Sequence, residues 1–261
     1  MKIAITGKGG VGKTTFSAAL IQLLARNGQK VIALDADPNA NLAAALGLSD
    51  EIQKTIVPIS QQNKLIEERT GAKIKQYGQV FKLNPEVSDV VDKYATVYEN
   101  VALLVLGGLE KGGTGCACPE NTFIRALITD LVLFKQETLI LDMEAGVEHL
   151  GRATIKGVDM IIIVLEPSNR SISTATRIRE MAADIGLTNL KVVGNKIMNP
   201  QDEAFIQDAF PDLELLGLVP NSPAIRENDR NKRPAIENLE PATLKAYENI
   251  MAKIIQYSSK K

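Results

Sequence analysis

The residues with the clearest chemical meaning form a glycine-rich loop near the start of the 261-residue chain. The run Gly7-Lys8-Gly9-Gly10-Val11-Gly12-Lys13-Thr14 fits the pattern GxxxxGK[ST], with an apolar segment before it and a helical pattern after it. Glycines let consecutive backbone N–H groups face a phosphate, and the start of a helix adds partial positive charge. Lys13 is expected to contact the β- and γ-phosphates of a nucleotide, and the Thr14 hydroxyl to bind Mg²⁺. The residues predicted to line this phosphate site are Gly9, Gly10, Val11, Gly12, Lys13, Thr14 and Thr15.

Carboxylates come directly after two of the apolar segments. Asp35 and Asp37 follow one of them, and Asp142 follows Leu139-Ile140-Leu141. The carboxyl ends of strands border the ligand crevice in open α/β sheets, so these side chains are expected to face the nucleotide. Taken alone, Asp-x-Asp-Pro is also a common turn sequence. Gly146 lies shortly after Asp142 and can supply a flexible backbone there.

Cys116 and Cys118 are the only cysteines of the chain. A disulfide across one intervening residue is strained, so the pair is a packing feature, a redox device or a pair of metal ligands. Pro119 suits the first position of a helix, and a cysteine just before a helix has a lowered thiol pKa and binds metal as thiolate. Two thiolates do not complete a metal site, but a two-fold dimer would bring four together, for a metal ion or an iron–sulfur cluster.

Short apolar segments alternate with helical patterns along most of the chain. The segments predicted as strands are Lys2–Thr6, Lys30–Leu34, Val101–Leu106, Thr138–Leu141, Met160–Leu165, Lys191–Gly194 and Leu215–Val219. Apolar stripes at helical spacing begin at Phe16, Ile124 and Ile172. Several strands are apolar throughout, as expected where helices cover both faces of a parallel sheet. The chain is therefore predicted to form one doubly wound α/β domain over residues 1–261, with a mostly parallel sheet.

The region from Asn41 to Asn100 is less regular. It contains two predicted helices, around Ala43–Leu46 and Gln61–Arg69, and an extended segment Val80-Phe81-Lys82-Leu83. We interpret this region as an elaboration of the same domain. A further helical pattern reaches Ile254 and predicts a C-terminal helix with a frayed end.

Composition excludes several classes of protein. Thirty Lys and Arg oppose 31 Asp and Glu, so a net charge of −1 provides no global basic field for nucleic acid or anionic lipid. Hydrophobic residues make up 45% of the chain, which is ordinary for a globular protein and excludes disorder. The longest apolar runs have the length of strands and not of membrane spans, and the N-terminus does not resemble a signal peptide. We expect a cytoplasmic protein that binds neither nucleic acid nor membrane.

The phosphate loop carries one unusual residue, Lys8. The run Lys8-Gly9-Gly10-Val11-Gly12-Lys13-Thr14-Thr15 resembles the deviant Walker A motif of the MinD/ParA/nitrogenase-iron-protein superfamily. The resemblance implies a P-loop ATPase that uses ATP and Mg²⁺ and forms a homodimer, in which Lys8 crosses to the phosphates of the partner. Such a lysine supplies positive charge in trans, much as an arginine finger does. The alternative for Lys8 is a solvated surface lysine.

The same resemblance assigns roles to the polar residues at the strand ends. It implies that Asp37 positions the attacking water, and that Asp35 and Asp142 lie near Mg²⁺. Asp142 and Gly146 resemble switch II, in which the Gly146 N–H senses the γ-phosphate. The residues that resemble the adenine-contacting positions of the superfamily are Asn195, Lys196 and Pro220.

The cysteine pair refines the resemblance. A deviant Walker A protein with Cys116-Ala117-Cys118 ahead of switch II is similar to the CooC-type ATPases, and the likeness covers nearly the whole chain, including Gly146-Val147-Glu148-His149-Leu150. These ATPases mature nickel enzymes, namely carbon monoxide dehydrogenase and, in a sister branch, acetyl-CoA synthase. The resemblance implies an ATP-hydrolysing metallochaperone that inserts nickel into one of these apo-enzymes. It would bind Ni²⁺ or Zn²⁺ at a Cys₄ site shared by two chains.

Two other functions remain open at this point. A MinD/ParA-type positioning ATPase needs a basic membrane helix or a DNA-binding surface, but the C-terminal helix carries Glu248 as well as Lys245 and Lys253. An iron-protein-like reductase needs a second cluster cysteine after switch II, and the corresponding position here is near His149. His149 is the only histidine, and both a packing role and a metal or coupling role remain open for it.

Overall fold

The computed structural model describes residues 1–74, 76, 78–108, 119–135, 137–146 and 157–258. In this described part of the chain, eight strands form one sheet with the order β3-β4-β2-β5-β1-β6-β7-β8. Strand β3 is antiparallel to β4, and all other neighbouring strands are parallel. The strands are β1 Lys2–Thr6, β2 Val31–Ala36, β3 Thr96–Tyr98, β4 Val101–Val105, β5 Thr138–Met143, β6 Met160–Leu165, β7 Leu190–Ile197 and β8 Glu214–Pro220.

Helices follow the strands and cover the sheet on both sides. The described helices are α1 Lys13–Arg26, α2 Leu42–Ala45, α3 Asp50–Thr55, α4 Asn63–Thr70, α5 Val90–Tyr94, α6 Pro119–Leu133, α7 Asn169–Asp184, α8 Pro200–Ala209, α9 Pro223–Arg230 and α10 Pro241–Ser258, with a 3₁₀ turn at Ile59–Gln61.

The central strands place alternate side chains in two separate cores, as a strand repeat of two residues requires. Ile3 and Ile5 of β1 pack in one core with α1 and α10. Ala4 packs in the other core, which contains the apolar faces of α4, α6 and α7. The doubly wound, mostly parallel α/β fold predicted from the sequence is confirmed by this arrangement.

All seven predicted strands are present, with ends shifted by up to three residues. The short antiparallel strand β3 was not predicted, because three half-exposed or exposed residues have no clear apolar period. The predicted extended segment 80–83 lies in no strand; Val80 is 95% exposed, and Lys82 N–H donates to Thr70 O. Helices α3, α5, α8 and α9 were also not predicted from the apolar pattern.

Three residues of interest lie outside the described parts of the chain, namely Cys116, Cys118 and His149. The assignment of residues 1–261 to a single domain stays a prediction. None of the described helices is long and apolar enough to cross a lipid bilayer.

Candidate functional site

The glycine-rich loop connects β1 to α1 at the carboxyl edge of the sheet. Gly7 has φ 148°, and a Cβ on it would lie 2.4 Å from Val164 O in β6. Gly12 has φ 95° and precedes α1, and a Cβ there would lie 2.5 Å from the Asn195 amide nitrogen. Both positions therefore require glycine, for conformation and for space. A Cβ on Gly9 or Gly10 would meet no described atom within 4 Å, which leaves the outer side of the loop open for a ligand.

Lys13 lies in the first turn of α1 and its residue is only 6% exposed. Its Nζ donates to Lys8 O at 3.4 Å, so the side chain runs back along the loop. The Lys13 charge also acts to lower the pKa of Asp142, which places the cation near that carboxylate. A buried ammonium group at this place can pair with phosphate oxygens that approach the open side of the loop.

Asp142 is the penultimate residue of strand β5 and is almost completely buried. Ser17 Oγ donates to Asp142 Oδ1 at 2.8 Å, while Oδ2 has no hydrogen-bond partner among the described residues. Burial raises the pKa of Asp142 to about 6, and the nearby hydroxyls of Thr14 and Ser17 partly offset this effect. A buried, unpartnered carboxylate oxygen beside the Thr14 hydroxyl fits the oxygen ligands that Mg²⁺ requires.

No group of three or more His, Cys, Asp or Glu side chains in the described part of the chain is arranged to hold a metal ion. A Mg²⁺ ion held by Thr14 and Asp142 would take its remaining ligands from nucleotide phosphates and water, which is its usual coordination in ATPases.

Asp35 lies directly beside Asp142, because β2 and β5 are paired in register at these residues. Its side chain is fully buried, and its two oxygens accept the N–H groups of Asp37 at 3.2 Å and Leu42 at 2.9 Å. Burial raises the pKa of Asp35 to about 7; the charge of Asp142 adds to the increase, and the two N–H donors oppose it. Both Asp35 oxygens thus fix the turn between β2 and α2.

That turn carries Asp37, which is partly exposed and whose Oδ1 accepts the Asn39 N–H at 2.8 Å. The charge of Asp37 acts on the pKa values of both Asp35 and Asp142. The three predicted carboxylates are therefore close together, with Asp37 the most accessible to solvent.

Gly146 lies just beyond β5, with φ 145°. Its N–H donates to Thr6 Oγ1 at 3.1 Å, and the Thr6 hydroxyl lies within hydrogen-bond distance of the carbonyl oxygens of Glu144 at 2.9 Å and Gly146 at 3.0 Å. Thr6 is completely buried at the end of β1. The predicted switch II segment is thus attached through one hydroxyl to the strand that precedes the phosphate loop.

The ends of β6 and β7 contact the other side of the loop. Asn195 is 5% exposed and its amide donates to Val11 O at 2.8 Å. Lys196 Nζ donates to Gly10 O and forms an ion pair with Glu166, which also pairs with Lys8. Pro220 lies beside Ile197 in the pairing of β7 with β8. The predicted adenine-contacting residues therefore lie together next to the phosphate loop, and their contact with a base stays a prediction.

Comparison with known proteins agrees with this geometry. The model of the CobQ/CobB/MinD/ParA nucleotide-binding domain matches residues 2–237. The chain belongs to this family. It is a MinD/ParA-type P-loop ATPase, as the motif predicted.

Relatives extend the match over nearly the full length. The carbon monoxide dehydrogenase accessory protein CooC of Rhodospirillum rubrum is 40% identical over 256 residues, covering 98% of this chain and 97% of that protein. An uncharacterised ATP-binding protein of Methanocaldococcus jannaschii is 45% identical over 259 residues and 98% of both chains. The resemblance to CooC-type ATPases inferred from the motifs is confirmed.

Solved structures of the MinD/ParA family share the fold. MinD of Pyrococcus horikoshii, complexed with Mg-ADP, superposes with a TM-score of 0.69 at 23% identity, covering 98% of this chain and 96% of that one. The MinD chain of a MinC–MinD complex from Aquifex aeolicus gives 0.69 at 22% identity, with 97% and 95% covered.

Three residues of the site were not among those predicted from the sequence, namely Thr6, Ser17 and Glu166. Glu166 directly follows the predicted strand Met160–Leu165, so the strand-end rule that selected Asp35 and Asp142 would have found it. Thr6 and Ser17 are short hydroxyl residues inside regular elements, and only their partners across the sheet distinguish them from packing residues.

Proposed function

We propose that the chain is an ATP-hydrolysing metallochaperone that inserts nickel into an apo-enzyme through an ATP- and metal-dependent homodimer. The 40% identity to the carbon monoxide dehydrogenase accessory protein over almost the whole chain carries the proposal. The client is carbon monoxide dehydrogenase or acetyl-CoA synthase, and we favour the dehydrogenase. The Cys116-Ala117-Cys118 segment, upstream of Asp142 in the sequence, supplies the metal ligands.

ATP binds with its phosphates against the loop N–H groups of Gly9, Gly10, Val11 and Gly12 and against the Lys13 ammonium. Thr14 and Asp142 hold Mg²⁺, whose charge neutralises the β- and γ-phosphate oxygens. Asp37, the most solvent-accessible of the three carboxylates, orients the attacking water. Lys8 reaches the phosphates of the partner chain and stabilises the negative charge that develops during transfer.

The cysteines and the ATP site are connected through α6. In the sequence Cys118 precedes Pro119, the first residue of α6, and this helix leads into β5, whose penultimate residue is Asp142. The α6 side chains Phe123, Leu127 and Leu131 are fully buried in the core that also holds Leu139 and Leu141 of β5. A movement of switch II on ATP binding is thereby transmitted to the residue next to Cys118. This movement couples ATP hydrolysis to the affinity of the cysteines for the metal.

The test is delivery of nickel to each apo-enzyme. Apo-enzyme, Ni²⁺ and this protein are incubated with ATP or with a non-hydrolysable analogue, and the activity of the client is measured. Asp37→Asn serves as a matched variant, since it keeps an oxygen for the Asn39 N–H but removes the charge that orients water. We expect activation with ATP and wild-type chain only.

If neither client becomes more active with this protein than with Ni²⁺ alone, nickel insertion is disproved. Equal activation with the analogue or with Asp37→Asn would separate delivery from hydrolysis and disprove the ATP-driven step.

The positioning-ATPase alternative has less support from the C-terminal helix. Lys253 Nζ donates to Leu216 O in β8, and the exposed Lys245 lies beside the acidic Glu248, so this helix does not present a purely basic face. A liposome and DNA pull-down with ATP tests this alternative directly.

A further inference from the structure

One carboxylate lies between two lysines at the mouth of the phosphate loop. Glu166 follows β6, with Oε1 3.3 Å from Lys8 Nζ and Oε2 3.2 Å from Lys196 Nζ. Each lysine also reaches a loop carbonyl: Lys8 Nζ lies 3.4 Å from Gly9 O, and Lys196 Nζ lies 2.5 Å from Gly10 O. The three side chains form a bridge from the end of β6, over the loop, to the end of β7.

The backbone conformation at Lys196 and the contacts around Glu166 support this bridge. Lys196 has φ 60°, an unfavourable conformation for a residue with a side chain, at a point where the register of β7 and β8 shifts. A strained backbone conformation of this kind persists where contacts with the surrounding structure hold it in place, and such conformations are concentrated at functional sites. Ser168 Oγ donates to Glu166 Oε1 at 3.4 Å, and Glu166 N–H donates to Ser171 Oγ at 3.2 Å. The start of α7 therefore fixes Glu166 in turn.

The two ion pairs of this bridge are weak enough to separate. The side chains of Lys8, Glu166 and Lys196 are 31%, 21% and 43% exposed, and partly exposed ion pairs are weak. Partial burial acts to raise the pKa of Glu166, but the two lysines outweigh it, so the pKa is lowered and the carboxylate stays charged. When Lys8 leaves, Lys196 remains as a counter-ion for Glu166, so no charge is left unpaired.

We propose that Glu166 is a positioning residue that holds Lys8 over the phosphate loop of its own chain. Lys8 must leave Glu166 before it can reach the phosphates of a second copy, so Glu166 opposes association until ATP is bound. The second part rests on the trans role of Lys8 in the proposed function. Glu166 does not contact the reacting atoms; it controls where Lys8 is.

The first test measures amine labelling of individual lysines by mass spectrometry in the nucleotide-free chain. Glu166→Gln removes the charge and keeps the shape of the side chain. We expect Lys8 and Lys196 to label about two- to fivefold faster, the range that a partly exposed ion pair supports. Glu214→Gln is the matched control, because Glu214 pairs with Lys191 at the opposite end of the sheet. It should change labelling of Lys191 and leave Lys8 unchanged.

The second test measures ATP-dependent association by analytical ultracentrifugation. Glu166→Gln should associate at about two- to fivefold lower protein concentration than wild type. The double variant Lys8→Ala, Glu166→Gln should associate no more readily than Lys8→Ala alone, because the effect of Glu166 acts through Lys8.

Unchanged labelling of Lys8 in Glu166→Gln would overturn the proposal, as would an association gain that persists without Lys8. A wild-type chain that stays monomeric with ATP would disprove the homodimer of the proposed function. The labelling test requires neither nucleotide nor association, and it alone then decides whether Glu166 holds Lys8.

Discussion

The two lysines of the phosphate loop have different surroundings although they are five residues apart. Lys13 is buried at the start of α1, near Asp142, whereas the Lys8 side chain is 31% exposed and paired with Glu166. In the proposed function the buried Lys13 binds the nucleotide of its own chain, and the partly exposed Lys8 binds that of the second chain. The different surroundings of the two lysines agree with these different roles.

Substitution of each lysine tests this separation. Lys13→Ala should lose nucleotide binding, because it removes the buried charge held against the phosphates. Lys8→Ala should bind ATP normally but lose hydrolysis by about 10³-fold or more, as loss of an arginine finger does. Fluorescent-nucleotide titration and phosphate release measure the two effects. Equal turnover in wild type and Lys8→Ala would show that Lys8 is only a surface lysine.

Thr6 supports a second prediction at this scale. Thr6→Val has nearly the same shape but cannot accept the Gly146 N–H, so a buried donor loses its partner at a cost of about 1–3 kcal/mol. Amide exchange at Gly146 should become faster and the chain less stable. Thr6→Ser keeps the hydroxyl and should restore protection of Gly146. If serine and valine behave alike, the hydroxyl does not hold switch II.

At the scale of elements, the decisive feature is the pairing of β2 with β5. It places Asp35 beside Asp142 in register, so two carboxylates share a buried site. Burial raises the pKa of Asp35 to about 7 and that of Asp142 to about 6. The sheet thus places two buried carboxyl groups where a metal-bound nucleotide can compensate their charge.

This arrangement predicts the pH dependence of stability without nucleotide or Mg²⁺. Unfolded carboxyl groups titrate near pH 4, so between about pH 5 and 7 the folded chain holds more protons than the unfolded chain. The free energy of unfolding should therefore fall as pH rises, by at most about 1.4 kcal/mol per pH unit for each carboxyl. Urea unfolding in EDTA measures it.

Asp142→Asn is the control for this pH series. It removes one titrating group and the charge that helps to raise the pKa of Asp35. The free energy of unfolding of this variant should consequently fall less steeply between about pH 5 and 7 than that of the wild type. A slope equal to that of the wild type would assign the pH dependence to other groups.

At the scale of the whole molecule, the metal site of the proposed function requires two chains, since one chain contains two cysteines. We expect one Ni²⁺ or Zn²⁺ ion per dimer, lost in Cys116→Ser and in Cys118→Ser. Ligation requires thiolates, so the affinity should rise with pH, and metal should promote dimerisation by linkage. Equilibrium dialysis with light scattering measures both. One ion per monomer, retained in the double serine variant, would contradict the shared site.

Much of this site follows from local sequence. The phosphate loop needs glycines at fixed spacing before a lysine and a threonine, and the acidic residues come at the ends of apolar segments. Each of these patterns spans only a few neighbouring residues. The parallel α/β fold was likewise predictable, because apolar strands alternate with amphipathic helices along the chain. The short strand β3 was not, since its conformation depends on pairing with β4.

Which strand ends meet depends on the order of the strands in the sheet. Asp35 and Asp142 come together only because β5 lies between β2 and β1. Lys8 and Glu166 are 158 positions apart in sequence, and Lys196 and Gly10 are 186 apart, so no local pattern relates them. The phosphate loop, the family and the order of elements could be predicted from the amino-acid sequence, because each depends on residues that are neighbours in the chain. The contacts that hold Lys8, switch II and the carboxylates depend on strand order in the sheet, which arises only when distant segments pack together.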